Sequence, residues 1–334
     1  MIGLPSMRLL LLCGLALLLA PASVRAGGAV SAFYYPWYGT PGADGGFQHW
    51  QQDGKAPPRS IASNFWPARG VYSSSDRLVL NSQMTEIRRA GIDDVAVSWW
   101  GWGSAEDARL PAVIRAARAQ HLTVSVHVEP YTGRTVAGVE DAIGHLRSLG
   151  ITTFFVYRPT DEPLAEWAAM NDRLEGVRVF AQTGLVGQAA EGHFDGIYTY
   201  DVLVYGPDSF GRLCAQAHTA GLLCAPSVGP GYDARAAVGD IRVKPRRAGE
   251  TYDAMWQGAI AAGADLITIT SYNEWHEGTQ IEPARTRQGY GSYTGAWGIR
   301  GSRASTAYLD RTTWWAQRFG ITRKLRRGTG MLAP

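Results

Sequence analysis

The chain has 334 residues, enough for one large domain or two small ones, with 46% hydrophobic and 18% charged side chains. That balance excludes a disordered chain. A formal net charge of only +3 excludes the basic footprint of a nucleic-acid binder.

The first 26 residues read as a secretory leader. Arg8 supplies the positive charge, Leu9 to Ala20 an apolar run too short for an ordinary membrane span, and Val24-Arg25-Ala26 a small residue before the cut. The expected mature chain is residues 27–334, exported, with no stable membrane insertion. Without Arg8 and Arg25 it carries 30 basic against 29 acidic side chains. The basic run at residues 323–327 reads as a solvated tail.

Eight short runs rich in Val, Ile and Phe then follow in order, at residues 30–38, 94–100, 123–131, 151–158, 177–183, 196–201, 222–228 and 265–274. Between them lie amphipathic stretches at 77–90, 110–121, 136–149, 164–174, 209–220 and 252–262, with a weak one at 187–193 and a last one at 306–319. Strands alternating with helices imply a parallel sheet, and eight units predict a single (β/α)₈ barrel. An open doubly wound sheet is the runner-up. No glycine-rich turn follows the first run, which argues against a dinucleotide fold.

In such barrels the chemistry sits at the C-terminal ends of the strands. Here those ends read Tyr34-Tyr35-Pro36-Trp37-Tyr38, Ser98-Trp99-Trp100, His127-Val128-Glu129-Pro130-Tyr131, Tyr198-Thr199-Tyr200 and Tyr272-Asn273-Glu274. Strand alternation turns Val124, Val126 and Val128 toward the helices and Ser125, His127 and Glu129 inward. On the last strand it sets Ile267 and Ile269 against Thr268, Thr270, Tyr272 and Glu274. Glu129 and Glu274 are therefore expected at the barrel mouth. Trp100 continues the inward line of Ala96 and Ser98, while Trp99 and Phe33 read as core.

Glu274 and Glu277 stand three apart just past the last strand, among Tyr, Asn, Trp, His and Gly. Two carboxyl groups of separated pKa suit glycoside hydrolysis, and an aromatic rim suits the apolar faces of sugar rings. The candidate site is Glu274 and Glu277 as catalytic pair, with Tyr35, His49, Trp100, His127, Glu129, Tyr198, Tyr200 and Asn273 as sugar contacts. No metal or other cofactor is expected, because the seven histidines are scattered and show no ligand spacing. No G-x-S-x-G elbow points to a serine hydrolase. Cys214 and Cys224 could be bridged or be two buried thiols, and the sequence leaves both open.

These segments resemble glycoside hydrolase family 99, the endo-α-1,2-mannosidase family. The resemblance rests on Phe33 to Gly39, His49-Trp50, Ser63-Asn64-Phe65, Ser98-Trp99, His127 to Tyr131, Phe194 to Tyr200, Pro226 to Tyr232 and, longest, Ile269 to Glu282, all in family order. It implies a (β/α)₈ barrel, no metal, and endo cleavage of α-1,2-mannosidic bonds with retention. It also implies Glu277 as general acid/base and Glu274 as base on the sugar's own 2-hydroxyl. After Gly231-Tyr232, Asp233-Ala234-Arg235 replaces the family's arginine-containing run, in a loop that would shape subsites. Beside this reading stand a non-catalytic carbohydrate-binding barrel and a related glycosidase or transglycosylase acting on another glycan.

Overall fold

A computed structural model describes residues 30–328. The leader expected over residues 1–26 lies outside them. Parallel strands β1 (Val30–Tyr34), β2 (Asp94–Trp99), β3 (Thr123–Val128), β4 (Thr153–Val156), β5 (Arg178–Gln182) and β6 (Gly196–Tyr198) pair in sequence order. The seventh segment is two pieces, β7 (Leu223–Ala225) and β8 (Ser227–Val228). A short antiparallel hairpin, β9 (Tyr232–Asp233) with β10 (Val243–Lys244), follows, and β11 (Ile267–Ile269) is the last barrel strand. β7 pairs with β6, β8 with β11, and β11 with β1. The two ends of the sheet are thus halves of one segment, and the (β/α)₈ ring closes through Pro226. Proline has no N–H for the ladder, so the pairing changes partner there; its carbonyl still accepts from Thr268 N–H at 3.2 Å.

Helices α1 (Pro41–Asp44), α2 (Arg77–Arg89), α3 (Ala105–Ala119), α4 (Val136–Ser148), α5 (Leu164–Asn171), α6 (Val186–Glu191), α7 (Pro207–Thr219), α8 (Glu250–Ala261) and α9 (Ala307–Gly328) form the outer layer with its loops. Among the described residues no helix is long and apolar enough to cross a membrane. The expected helix at 110–121 begins five residues earlier. Ser104 caps Asp107 N–H at 3.1 Å, and Glu106 and Asp107 meet the positive end of the helix, which carries the start past Pro111. α9 runs beyond the expected Phe319 and takes the basic run into a helix. Cys214 on α7 and Cys224 on β7 are bridged, with Cα atoms 5.2 Å apart.

The apolar sides of β1, β3 and β11 (Val30, Ala32, Val126, Val128, Ile267, Ile269) pack under the helices. Inside the barrel Phe33, Tyr35, Phe155, Phe180, Tyr198 and Tyr200 stack into a second core. Phe33 is core as expected, but of the barrel interior, with its ring 4.6 Å from that of His127. Lower in the barrel, Ser31 and Ser125 both donate to Asp94, at 2.6 and 2.5 Å.

The ladder stops sooner than the sequence predicts. β11 ends at Ile269, and residues 271–282 turn back on themselves, with Ser271 N–H on Thr279 O at 3.0 Å and Ile281 N–H on Ser271 O at 3.0 Å. Alternation cannot be extended through this turn, and Tyr272 is a correction. It faces outward, stacks on Tyr34, and donates its hydroxyl to Glu86 on α2 at 2.7 Å.

Candidate active site

The turn after β11 places both Glu274 and Glu277 on the wall of a cavity of about 440 Å³. Trp37, His49, Gln52, Trp100, Glu106, Val238 and His276 complete its lining. A second cavity of about 120 Å³ meets the same Glu277 beside Tyr157, Tyr200, Asp201, Tyr232, Arg242 and Thr270. Glu277 stands where the two meet.

Each carboxyl has its own surroundings. Glu274 is 2% exposed. Its Oε1 accepts from His276 N–H at 2.9 Å, and its own N–H donates to Ser271 Oγ at 2.8 Å. Burial pushes its pKa up, Glu277 and Glu129 push the same way, and the backbone amides of His276 and Glu277 act against them. Among the described residues none donates a hydrogen bond to the Glu277 carboxyl. Burial raises it to about 8, with repulsion from Asp201, Glu129 and Asp240 adding to the shift and Arg242 opposing it. The backbone N–H donors favour the charged form of Glu274, and Glu277 has no such donor among the described residues.

Burial also keeps two histidines neutral. His49 is lowered to about 3, with the charges of His276 and Arg109 adding to the effect, and His276 is lowered to about 4. His276 Nε2 therefore donates to His49 O at 2.7 Å as a neutral imidazole. His49, Trp37 and His276 stack, with Trp37 4.4 Å from His49 and 5.8 Å from His276. The result is an aromatic wall facing the carboxyls.

The sequence candidates divide into walls and supports. His49, Trp100, Glu274 and Glu277 line the larger cavity, and Tyr200 lines the smaller. Trp100 is 37% exposed and its Nε1 donates to Ser98 Oγ at 3.1 Å, which donates onward to Glu129 Oε1 at 2.7 Å. Trp99 is fully buried, as its core reading expects. Glu129 stands below this relay. His127 Nδ1 lies 3.0 Å from Glu129 Oε1 but out of line for a hydrogen bond. His127 Nε2 pairs with the Tyr198 hydroxyl at 2.9 Å, and Tyr35 and Tyr200 join hydroxyl to hydroxyl. Asn273 is fully buried, giving Oδ1 to Tyr35 N–H at 2.8 Å and Nδ2 to Tyr35 O at 3.0 Å. Tyr35, His127, Glu129, Tyr198 and Asn273 line neither cavity.

Trp37, Gln52, Glu106 and Val238 on one side, and Tyr157, Asp201, Tyr232 and Arg242 on the other, were not among the sequence candidates. Glu106 lies ahead of the helix expected at 110–121; in the structure it stands in the first turn of α3, buried at the cavity wall. Arg242 arrives on the β9–β10 hairpin, where it clasps Asp240 at 2.6 Å, and Asp240 in turn accepts from Tyr232. Arg235 stays outside, bonded to Asp233 at 2.7 Å. The hairpin docks on the turn after β11 through Asp233 N–H to Glu277 O at 2.7 Å. Gly278 makes that approach possible: its φ is +63°, and a Cβ there would stand 3.0 Å from Asp233 O.

A closed (β/α)₈ barrel with a buried and a half-buried carboxyl on one turn and an aromatic cavity at its C-terminal face is the build of a barrel glycoside hydrolase. The chain belongs to glycosyl hydrolase family 99, whose model matches residues 27–166 and 179–321. A Danio rerio glycoprotein endo-alpha-1,2-mannosidase-like protein is 32% identical over 320 residues, covering 76% of this chain and 71% of that one. The Mus musculus glycoprotein endo-alpha-1,2-mannosidase is 29% identical over 359 residues, covering 87% and 75%. The solved structure of the GH99 endo-alpha-mannosidase from Bacteroides thetaiotaomicron superposes with a TM-score of 0.80 at 28% identity, over 88% of this chain and 98% of that one.

Proposed function

We propose that this hydrolase cleaves α-1,2-mannosidic bonds within mannose-containing glycans, with retention, through a 1,2-anhydro sugar. The observation that carries the reading is the position of Glu277, on the wall of two cavities at once. A bond held beside it has room for sugar on both sides, as internal cleavage requires. The relatives' names supply the linkage.

In the proposed reaction Glu274 takes the proton from the 2-hydroxyl, and O2 attacks C1 of the same sugar. The C1–O bond to the leaving sugar breaks as Glu277 gives its proton to the departing oxygen. Water then enters: Glu277 takes a proton from it, its oxygen attacks C1 as the C1–O2 bond breaks, and O2 takes back the proton from Glu274. Two inversions leave the configuration unchanged. The N–H donors at Glu274 suit a base that starts ionised, and the elevated Glu277 suits an acid still protonated near neutrality. The stacked Trp37 and His49 and the exposed Trp100 offer apolar faces to sugar rings.

Export is part of the same proposal. The leader pattern supports it, and so does the Cys214–Cys224 bridge, which persists in oxidising compartments. The test incubates the protein with a glucosylated mannose-capped oligosaccharide and with an α-1,2-branched mannan, reading product size and first-formed anomer. Cleavage inside the chain with an α product is expected, abolished in Glu277→Gln. Single mannose units as the sole product, or an inverted anomer, would refute the reading.

A further inference from the structure

Behind the catalytic turn lies a buried carboxylate that the proposed reaction leaves unused. Glu282 is fully buried. Its Oε1 accepts from Arg69 Nε and Gln83 Nε2, both at 2.8 Å, and its Oε2 from the Tyr72 hydroxyl and Trp275 Nε1, both at 2.8 Å. Arg69 also holds Glu86 at 2.7 Å, and Glu86 accepts from Tyr272. Two carboxylates therefore share one guanidinium, and neutral donors complete the cluster.

The donors on the catalytic side all belong to the turn or touch it. Tyr72 Oη receives Asn273 Nδ2 and Trp275 Nε1, both at 3.3 Å. Tyr38 Oη closes the other flank, donating to Asn273 O and accepting from Trp275 N–H, both at 3.1 Å. Glu274 is the residue between Asn273 and Trp275. Its two chain neighbours are fixed from behind by side chains that never reach the sugar cavity.

We propose that Glu282 is a positioning residue for the catalytic pair: through Trp275 and Tyr72 it sets where the Glu274 carboxyl stands in the cavity. A carboxylate is needed because four donors converge on it. A glutamine would turn its own N–H₂ toward two of them, so at least one side of the cluster must part. Displacing Trp275 moves Glu274 at the next peptide. The walls formed by Trp37, His49 and Trp100 come from other segments and stay in place. The expected defect is therefore in the chemical step and not in sugar affinity.

The inference rests on Glu274 acting in the reaction, so Glu282→Gln is compared with Glu274→Gln. A matched control is Asp253→Asn in the outer layer, where Asp253 gathers Trp297 Nε1 at 2.9 Å, Trp315 Nε1 at 2.7 Å and Arg311 at 2.6 Å. Kinetics are measured on an α-1,2-mannosyl oligosaccharide, well below each variant's unfolding midpoint. Glu282→Gln should lower kcat by about 10- to 100-fold, the loss that a misplacement on the order of 1 Å produces, with KM within about 3-fold. Asp253→Asn should lower the midpoint and leave kcat within about 2-fold. An unchanged kcat in Glu282→Gln, a loss carried by KM, or an equal kcat loss in Asp253→Asn would overturn the proposal. If Glu274→Gln is inactive and Glu282→Gln is normal, the positioning role alone fails. If Glu274→Gln turns over like wild type, the catalytic reading fails and takes this inference with it. Should Glu282→Gln not fold, Tyr72→Phe replaces it, with an expected kcat loss of about 3- to 10-fold at steady KM, and no loss counts against the role.

Discussion

The pH at which Glu277 loses its proton sets the alkaline limit of the proposed reaction, and the groups that hold it there can be removed singly. Its pKa stands at about 8 against an ordinary 4.5, mainly through burial and then through repulsion from Asp201. At pH 7 an acid of that pKa is about nine-tenths protonated, whereas an ordinary glutamic acid is only about 0.3% protonated, a difference of about 300-fold in competent enzyme. Asp201→Asn removes the nearby anion of largest effect, so the alkaline limb of kcat/KM should move down by about one unit. Arg242→Gln removes the opposing cation and should move it up. Activity near pH 5, where Glu277 is protonated in all three proteins, should change little. The assay is kcat/KM from about pH 4 to about pH 10 at fixed ionic strength, because salt screens exposed charges such as Arg242. His49 and His276 are already neutral in the working range and should add no limb near neutrality. An alkaline limb that stays fixed in Asp201→Asn, or moves up, would refute the assignment of Glu277 as the acid.

The raised Glu277 also bears on stability. Because its folded pKa lies above the unfolded 4.5, its contribution is fully present at low pH and is lost as pH rises toward about 8. Glu277→Gln should therefore unfold at a higher temperature than wild type at about pH 8.5 and at the same temperature near pH 4, as read by thermal melts across pH. Trp100→Ala should raise KM by about 10-fold, or about 1.4 kcal/mol, with kcat retained, because it removes an aromatic face without touching the carboxyls; a kcat loss at constant KM would contradict its place in the wall. Reducing the Cys214–Cys224 bridge, which closes a loop of sequence separation 10, should cost about 2–3 kcal/mol in a urea titration with and without reductant.

Much of this was legible in the sequence because barrel strands are simple objects. On β3 the period of two alone divides helix-facing residues such as Val126 and Val128 from inward ones such as His127, and the structure keeps that division. Strand ends were not legible. β-branched and aromatic residues run on into the loops after β1, β3 and β11, so composition overstates each strand. Pro226 lies inside an apolar run, and its effect on pairing depends on which neighbours lie on either side. The cavity walls were the hardest part. Gln52, Glu106 and Asp201 come from three separate loops or helix starts, where a polar residue carries no pattern, and only the closed ring brings them around one turn.

The length of the motif from Ile269 to Glu282 has a physical cause in the same turn. Past Ile269 only scattered backbone pairs remain, such as Thr270 N–H on Val228 O and Tyr272 N–H on Phe33 O, both at 2.9 Å, and buried groups left without partners would cost several kcal/mol. Side chains fill that role one position at a time. Ser271 Oγ takes Glu274 N–H at 2.8 Å and pairs with Thr279 Oγ1 at 2.9 Å. Tyr272 ties to Glu86, Asn273 to Tyr35, Trp275 to Glu282 and His276 to His49. Arg246 Nη2 closes the far end on Gly278 O at 2.9 Å and Gln280 O at 2.6 Å. Regular strand needs only residues of the right size and polarity, so volume-conserving swaps there are tolerated. Here each side chain is tied to particular buried groups, so Thr279→Val, nearly isosteric, should cost more than Ile269→Val in the adjacent strand. The dense sequence signal and the fixed place of the two carboxyls are one fact: a turn that backbone pairing holds only in part must be specified by its side chains.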